Sequence, residues 1–520
     1  MIEKPHDTDD FHAFNAGTGE PISPGFSEAT EQQIETAAEA AADASLWLSS
    51  SSPRRRGELL DRVAAGLIER QQEIVERCAL ETGYLAERVI GEFQRATGQL
   101  KLFAQLARQS WWDERQVDPA DPDRGIGTGI ARPRPEMRRR LVPVGPVAVF
   151  GACNFPLAIS VIGNEFVAAI AVGCPVIVKS HPSHPGTCEL LGQVATEAVK
   201  ELGFPSGTFA LLHGRRPETS RRLVEHPAIA AVGFTGSPKG GRALADAVLH
   251  RPHPIPLFAE LGSTNPVFLA AGAIESRGES IATGFAESLR FGNGHMCTKP
   301  GVVLMLERQS GPWIEQVTRV MSQQPPLPLL SESIAEAFDQ SIARYRSTPD
   351  VQTLYDGGRG GPADGPWHRG PHWFATDPAT AIGCPDLQAE SLLHCETFGP
   401  ASLLVLCQDE SEMLLMARQF SGSLTTTLHA SEADGEFTAD WLPLAERFAG
   451  RIIHNGWPTG MEIGPATQHG GPYPASLDGN STSVGYASLQ RFLRPVCYQN
   501  WPASELTATG DWSQATGPMP

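Results

Sequence analysis

The stretch Ala228-Ile-Ala-Ala-Val-Gly-Phe-Thr-Gly-Ser-Pro-Lys-Gly-Gly-Arg242 decides the fold class. Its apolar first half, Ala228 to Phe234, reads as a buried strand. A helical pattern over Ala243 to Leu249 follows, and a glycine-and-hydroxyl turn joins the two. Upstream, Phe209-Ala-Leu-Leu212, Pro175-Val-Ile-Val-Lys179 and Leu141-Val-Pro-Val-Gly-Pro-Val-Ala-Val-Phe150 are further strand runs. Helical patterns over Thr187 to Leu202 and around Glu165 to Ile170 lie between them. Downstream, Pro266-Val-Phe-Leu269, Val302-Val-Leu-Met-Leu306 and Ala401-Ser-Leu-Leu-Val-Leu406 repeat the theme. Strands alternating with helices argue for an α/β protein built on a largely parallel sheet. Residues 28–110 read as helical, Asp118 to Pro135 as a Pro/Gly/Asp-rich loop, and the polar end from Thr507 as a tail.

The chain has 520 residues, enough for two to four domains. Hydrophobic residues make up 41% and charged residues 19%, which excludes a mainly disordered or coiled-coil chain. There are 41 Lys and Arg against 59 Asp and Glu, a net charge of −18, so general nucleic-acid binding is not expected. The basic clusters Arg54 to Arg56 and Arg138 to Arg140 are too short to change that. The apolar run Phe166 to Val178 is broken by Gly173-Cys-Pro175 and falls short of the roughly 20 residues a bilayer needs. Nine scattered cysteines without a CxxC pair read as reduced thiols of a soluble, cytoplasmic protein, with no membrane partner. His181-Pro-Ser-His184 offers two imidazoles with no further ligand at metal spacing, so no metal is expected.

Four positions could carry chemistry. Cys297 lies in Phe291-Gly-Asn-Gly-His-Met-Cys-Thr-Lys-Pro-Gly301, where glycines on both sides allow close approach to a thiolate nucleophile; the alternative is a small buried hydrophobe. Glu260, in Pro256-Leu-Phe-Ala-Glu-Leu-Gly-Ser263, is an acid in an apolar stretch. Desolvation there would raise its pKa and suit it to general-base work, if it is not a surface carboxylate. Asn154, in Cys153-Asn-Phe-Pro156, is either an oxyanion-stabilising amide or a turn residue. The turn over Gly233 to Arg242 lets backbone N–H groups and Ser237 approach an anion at a helix N-terminus.

Taken in order, Asn154-Phe-Pro156, Lys179, Phe234-Thr-Gly-Ser237 with Gly241, Glu260-Leu-Gly262, Cys297 and Glu396-Thr-Phe-Gly-Pro400 resemble the NAD(P)-dependent aldehyde dehydrogenase superfamily over residues 30–500. The surrounding text is most similar to the α-ketoglutaric semialdehyde (2,5-dioxopentanoate) dehydrogenases and the related NADP-dependent fatty-aldehyde enzymes. Val178-Lys-Ser-His-Pro-Ser-His-Pro-Gly186, Phe258-Ala-Glu-Leu-Gly-Ser-Thr-Asn-Pro266 and Arg491-Phe-Leu-Arg-Pro-Val496 carry that likeness. The resemblance implies a Cys297 nucleophile, an oxyanion site from Asn154 and the Cys297 N–H, and Glu260 as the base that hydrolyses a thioester. It further implies cofactor binding by Lys179, Gly236, Ser237, Gly241, Glu396 and Phe398. Where NAD-preferring members place a Glu three residues after the lysine, this chain has Pro182. NADP is therefore expected to be preferred and NAD also used, with Arg215 or Arg216 beside the 2′-phosphate.

The implied activity is oxidation of an aldehyde, α-ketoglutaric semialdehyde first, to its acid. A medium or long aliphatic aldehyde is the alternative, and a non-catalytic binding protein that kept the fold is the alternative of another class. Arg290, Asn293 and His295 depart from the subgroup near the nucleophile; Arg290 reads first as a solvent-facing helix-end arginine, with attraction of a substrate carboxylate as the lesser reading. The fold implied has a Rossmann-like cofactor domain (1–123 and 143–258), a catalytic α/β domain (259–484) and a small β oligomerisation element (124–142 and 485–500), with 501–520 as a tail. A homodimer or homotetramer follows from satisfying the edges of that element.

Overall fold

Thr30 and Gln33 open the helical layer. The Thr30 hydroxyl accepts from the Gln33 N–H at 3.2 Å and Gln33 Oε1 accepts from the Thr30 N–H at 2.8 Å, a reciprocal cap heading α1 (Glu31–Ser50). Ser52 caps α2 (Pro53–Glu69), with Pro53 at its first position. The helical pattern continues through Thr82 but breaks at Arg70, giving a separate α3 (Gln71–Thr82), and α4 (Ala86–Gln109) completes the layer. An antiparallel ribbon, β1 (Asp10–Phe14) with β2 (Pro21–Ser27), precedes it. The computed structural model describes residues 10–122, 133–383, 391–502, 504–506 and 512. The loop Gly125 to Gly129, the first half of the expected hairpin over 124–142, Cys384 and the expected tail from Thr507, apart from Trp512, lie outside the described residues.

The run Leu141 to Phe150 is not one strand, as its apolar character suggested. After β3 (Gln116–Asp118), β4 (Met137–Pro143) ends at the proline, and β5 (Val147–Phe150) begins in a different sheet. Pro143 and Pro146 donate no backbone N–H, and Gly145 has φ of 124°, so the chain turns where hydrophobicity alone is continuous. β4 pairs with β3 and with the strand Leu493–Gln499 in a three-stranded antiparallel sheet.

From β5 the chain alternates through α5 (Asn164–Val172), β6 (Val176–Lys179), α6 (Pro185–Glu201), β7 (Phe209–Leu212), α7 (Pro217–Glu225), β8 (Ala231–Thr235), α8 (Pro238–Leu249) and β9 (Leu257–Glu260). The strands form one parallel sheet in the order β7-β6-β5-β8-β9. Both faces are covered. Val147, Val149, Val176 and Val178 pack toward α2, α4 and α5, whereas Ala148, Phe150 and Ile177 pack toward α1, α7 and α8.

A second, seven-stranded sheet holds β10 (Val267–Leu269) and, after α9 (Ala271–Arg290), β11 (Val302–Leu306). Its order is Gln352–Asp356, His372–Thr376, Ala401–Cys407, β11, β10, Ser423–His429, Ala449–His454, and only the first pair is antiparallel. Period-2 alternation again divides two cores, with Val302, Leu304 and Leu306 on one side and Val303 and Met305 on the other. The C-terminal ends of β5, β6, β8 and β9 in the first sheet carry Asn154, Lys179, Ser237 and Glu260 at or just past the strand. Cys297 and Glu396 precede β11 and Ala401–Cys407 in the second. The site lies where these two sheet edges meet. Crevices at the carboxyl ends of parallel strands, beside a reversal of strand order such as that between β5 and β8, are where open α/β sheets bind ligands.

Candidate active site

Cys297 sits on a loop held by three contacts. Asn265, buried with φ of 49°, donates from Nδ2 to the carbonyls of Cys297 at 2.8 Å and Lys299 at 3.0 Å, and its Oδ1 accepts from the Thr425 N–H at 3.2 Å. Asn293, also left-handed at φ 54°, donates to the carbonyls of Leu327 and Pro328, both at 2.9 Å. Gly294, at φ 73°, approaches Gly399 so closely that a Cβ would stand 2.3 Å from its carbonyl carbon. That approach brings Glu396 and Phe398 against the cysteine loop.

Asn154 joins from the other sheet. Its Nδ2 donates to the His295 carbonyl at 2.7 Å, two residues before the cysteine, and leaves its second N–H for another acceptor. The Asn154 carbonyl accepts from Arg88 at 2.9 Å, which fixes the residue's placement.

The partner of the thiol is a residue that sequence reasoning missed. His469 Nε2 lies 3.6 Å from Cys297 Sγ, and its Nδ1 lies 2.5 Å from Glu260 Oε2. Ser483 donates its hydroxyl to the same carboxylate oxygen at 2.5 Å. The segment bearing His469 is bound to the end of β9: Leu261 N–H donates to Ala475 at 2.8 Å and Leu477 N–H to Ala259 at 2.9 Å. Gly471 permits this, since a Cβ there would stand 2.3 Å from the Ser423 carbonyl oxygen. The glycines and prolines of His469-Gly-Gly-Pro-Tyr-Pro474 were the available signal for a histidine on a tightly held loop. Nothing in sequence pointed to Ser483.

Charge settles the protonation states. Burial alone would push Glu260 up, as its apolar sequence context suggested. His469, the Ser483 hydroxyl and Arg491 outweigh burial, and the carboxyl lies below its ordinary value, so the expected raised pKa is reversed. Burial likewise pushes His469 down, but Glu260 and Cys297 prevail and carry it up to about 10. At neutral pH the His469 ring therefore carries its charge, with its Nε2–H toward Sγ. Glu260 Oε1 is buried with no hydrogen-bond partner among the described residues, an acceptor available to a reactant. The donor atoms of Glu260, Cys297 and His469 lie within 4.8 Å of one another, a metal-like cluster, yet the 2.5 Å contact already joins two of them.

The remaining predicted residues form a second group along the crevice. Lys179 ends β6, where burial presses its ammonium down to about 8 and Glu28 opposes that. Ser237 caps α8, its hydroxyl accepting from the Gly240 N–H at 3.2 Å. Gly236 and Gly241 are packing glycines: a Cβ would meet Phe234 at 2.7 Å and Leu261 at 2.3 Å respectively. Glu396 lies over Gly262, where a Cβ would stand 2.0 Å from its Oε2. Burial pushes its carboxyl up to about 7 against the pull of Lys299. Phe398 packs on His295 at 5.1 Å between ring centroids, and burial holds that imidazole down to about 3.

Arg215 and Arg216 give their backbone N–H groups to Glu28 Oε1 at 2.6 and 2.9 Å. Arg290 donates to the Pro325 carbonyl at 2.7 Å, which places it among structural contacts rather than at the nucleophile. A dinucleotide fits this second group. A buried ammonium, a buried Thr235 hydroxyl with no partner among the described residues, a helix N-terminus and a carboxylate over glycine line the crevice in sequence.

Three comparisons bear on the chain. A sequence model described as the aldehyde dehydrogenase family matches residues 3–471. The chain is 40% identical over 495 residues to alpha-ketoglutaric semialdehyde dehydrogenase 2 of Azospirillum brasilense, covering 94% of this chain and 91% of that protein. It is 38% identical to the alpha-ketoglutaric semialdehyde dehydrogenase of Acinetobacter baylyi, over 94% and 90%. Among solved structures, the aldehyde dehydrogenase KauB of Pseudomonas aeruginosa superposes with a TM-score of 0.79 at 19% identity, over 96% and 94% of the two chains. The NAD-bound 1-pyrroline-5-carboxylate dehydrogenase of Thermus superposes with 0.78 at 20%, over 94% and 90%. These last two establish the fold.

Proposed function

The chain belongs to the aldehyde dehydrogenase family, and on that footing we propose that it oxidises α-ketoglutaric semialdehyde to α-ketoglutarate. The chemistry rests on one observation above the others: Cys297 Sγ faces a His469 ring that Glu260 holds from behind. The substrate rests on the two relatives at 40% and 38% identity that bear it in their names.

Cys297 Sγ attacks the aldehyde carbon, its proton having passed to His469 Nε2. The second N–H of Asn154 Nδ2 and the Cys297 backbone N–H receive the negative oxygen of the thiohemiacetal. NAD(P)⁺, when bound, supplies the hydride acceptor that turns this adduct into a thioester. Glu260 takes a proton through Oε1 from the water that attacks the thioester, and the carboxylic acid and free thiol are released. Lys179 holds the adenine ribose, Glu396 the nicotinamide ribose, and the turn of Gly236, Ser237 and Gly241 the pyrophosphate at the head of α8. Phe398 lines the nicotinamide end.

For the cofactor we propose NADP ahead of NAD. Pro182 supplies no carboxylate against a 2′-phosphate, and Arg215 and Arg216 stand at Glu28 beside Lys179, where their charge favours one. Glu28 narrows the margin. Its carboxylate accepts from Arg215 N–H, Arg216 N–H and the Thr219 hydroxyl, the last at 2.7 Å, beside Lys179. A 2′-phosphate must compete with it for those donors. Glu28→Gln is expected to raise kcat/KM for NADP relative to NAD by about tenfold, the worth of one unfavourable charge contact. Dissociation constants by protein fluorescence should shift in the same ratio; an unmoved ratio removes Glu28 from cofactor choice.

No helix among the described residues is long and apolar enough to cross a membrane. We place the enzyme in the cytoplasm as a homodimer or homotetramer, joined through the exposed edge Leu493–Gln499 of the three-stranded sheet. Initial rates of cofactor reduction test the substrate. With α-ketoglutaric semialdehyde and a long aliphatic aldehyde, each with NADP and NAD, kcat/KM is expected to favour the semialdehyde and to vanish in Cys297→Ala. Preference for the long aldehyde moves the chain to the fatty-aldehyde reading.

A further inference from the structure

Two arginines from different parts of the fold close on one loop, residues 458–461. Arg95 projects from α4 and Arg451 from the strand Ala449–His454. Arg451 donates to the carbonyls of Gly460 at 2.8 Å and Pro458 at 2.7 Å, and Arg95 reaches the Met461 carbonyl at 3.5 Å. These carbonyls satisfy part of each guanidinium. The Nε–H of both arginines is buried without an acceptor, and neither arginine joins an ion pair among the described residues. Loop carbonyls disperse positive charge but do not neutralise it.

Both guanidiniums are also electrostatic neighbours of Cys297. Burial holds the Arg451 guanidinium below its ordinary range, the charge of Arg95 adds to that, and Cys297 opposes it. Arg95 is likewise lowered by burial and supported by Glu92, Cys297 and Glu462. Each arginine thus feels the nucleophile, and Arg451 feels Arg95 as a like charge. Two half-buried cations side by side, each with an unused donor, are unfavourable in the free protein and favourable once an anion lies between them.

We propose that Arg95 and Arg451 form the receptor for the remote carboxylate of the aldehyde substrate, selecting short oxo-acid aldehydes over neutral ones. Arg290, weighed from the sequence for that role, donates instead to the Pro325 carbonyl at 2.7 Å. The receptor rests on the oxo-acid reading above and supplies the recognition that reading requires. An aldehyde carbon at Cys297 with an anion at the arginines leaves the oxo acid in one orientation, while a neutral chain of equal length brings no charge to meet them.

Arg95→Met, Arg451→Met, the double variant and the two Lys variants test the pair, with α-ketoglutaric semialdehyde and hexanal as substrates. Each Met variant is expected to raise KM for the semialdehyde at least tenfold with a smaller change in kcat. The double variant should lower the semialdehyde-to-hexanal ratio of kcat/KM about 100-fold, as expected for two charge-assisted contacts. Lys is expected to restore part of the ratio, which a merely structural role would not predict. Glutarate binding to the Cys297→Ala protein by calorimetry gives an independent reading and should weaken with the same variants. An unmoved ratio and unmoved glutarate affinity in the double variant overturn the receptor, even if the wild type prefers the semialdehyde. Arginine-dependent glutarate binding in a wild type that does not oxidise the semialdehyde keeps the receptor and overturns the substrate reading instead.

Discussion

Glu260→Gln is expected to stop the enzyme after one turnover: one equivalent of reduced cofactor per Cys297, followed by a steady rate lower by about 10²–10⁴, the usual worth of a positioned base. The first half of the reaction takes no proton at Glu260, although the carboxylate helps keep the His469 ring charged, so the burst should slow but survive. The second half needs a base for water, and Glu260 Oε1 is a buried acceptor with no partner among the described residues. With its carboxyl below the ordinary range, the base is ionised throughout the neutral region. Glutamine keeps the volume and can still meet Ser483 and His469, so the fold is not placed at risk. The acyl group should then be seen on Cys297 by intact mass, as the substrate mass less two hydrogens, and hydroxylamine should release it. Loss of the burst together with the steady rate would show that Glu260 serves the thiol rather than the water.

Much of this arrangement was readable in the sequence, for a physical reason. Strand runs buried on both faces are apolar at every position, so β5 and β11 stand out against their polar flanks. Cys297, Glu260 and Asn154 could be named because the glycines, prolines and strand ends that position them are their neighbours in the chain. Hydrophobicity failed where it was continuous but the backbone was not: Leu141 to Phe150 contributes to two sheets because Pro143, Gly145 and Pro146 intervene.

It also failed where partners are remote. His469 meets Glu260 across 209 residues and Cys297 across 172, and Ser483 meets Glu260 across 223. No local pattern encodes those contacts, and the same distance hid the sign of the Glu260 shift. Arg290 was weighed for the carboxylate on sequence proximity to the cysteine, whereas Arg95 and Arg451 become its electrostatic neighbours only through the fold.

His469→Gln is the complementary case, and its effect falls on the first half of the reaction. In the wild type the ring, raised to about 10, keeps the proton it shares with Sγ across the neutral range. The folded-state value lies above the ordinary 6.5, so the charged ring is present below about 10 and is lost only as pH rises through it. Alkylation of Cys297 by iodoacetamide should therefore be faster with the charged ring beside the thiol than without it, most so at low pH. Glutamine at 469 can donate to Glu260 but cannot take the thiol proton. The variant must wait for solution hydroxide, so alkylation should climb about tenfold per pH unit toward the region near 8.5 where an unassisted thiol ionises. At pH 6.5 that makes the variant about 10²-fold slower. The amplitude of the first turnover should survive while its rate falls by about 10²–10⁴. The two variants then separate: Glu260→Gln keeps a burst and loses the steady state at every pH, and His469→Gln slows the burst itself and recovers at high pH. Parallel alkylation profiles in wild type and variant would remove His469 from the chemistry and leave it a support for Glu260.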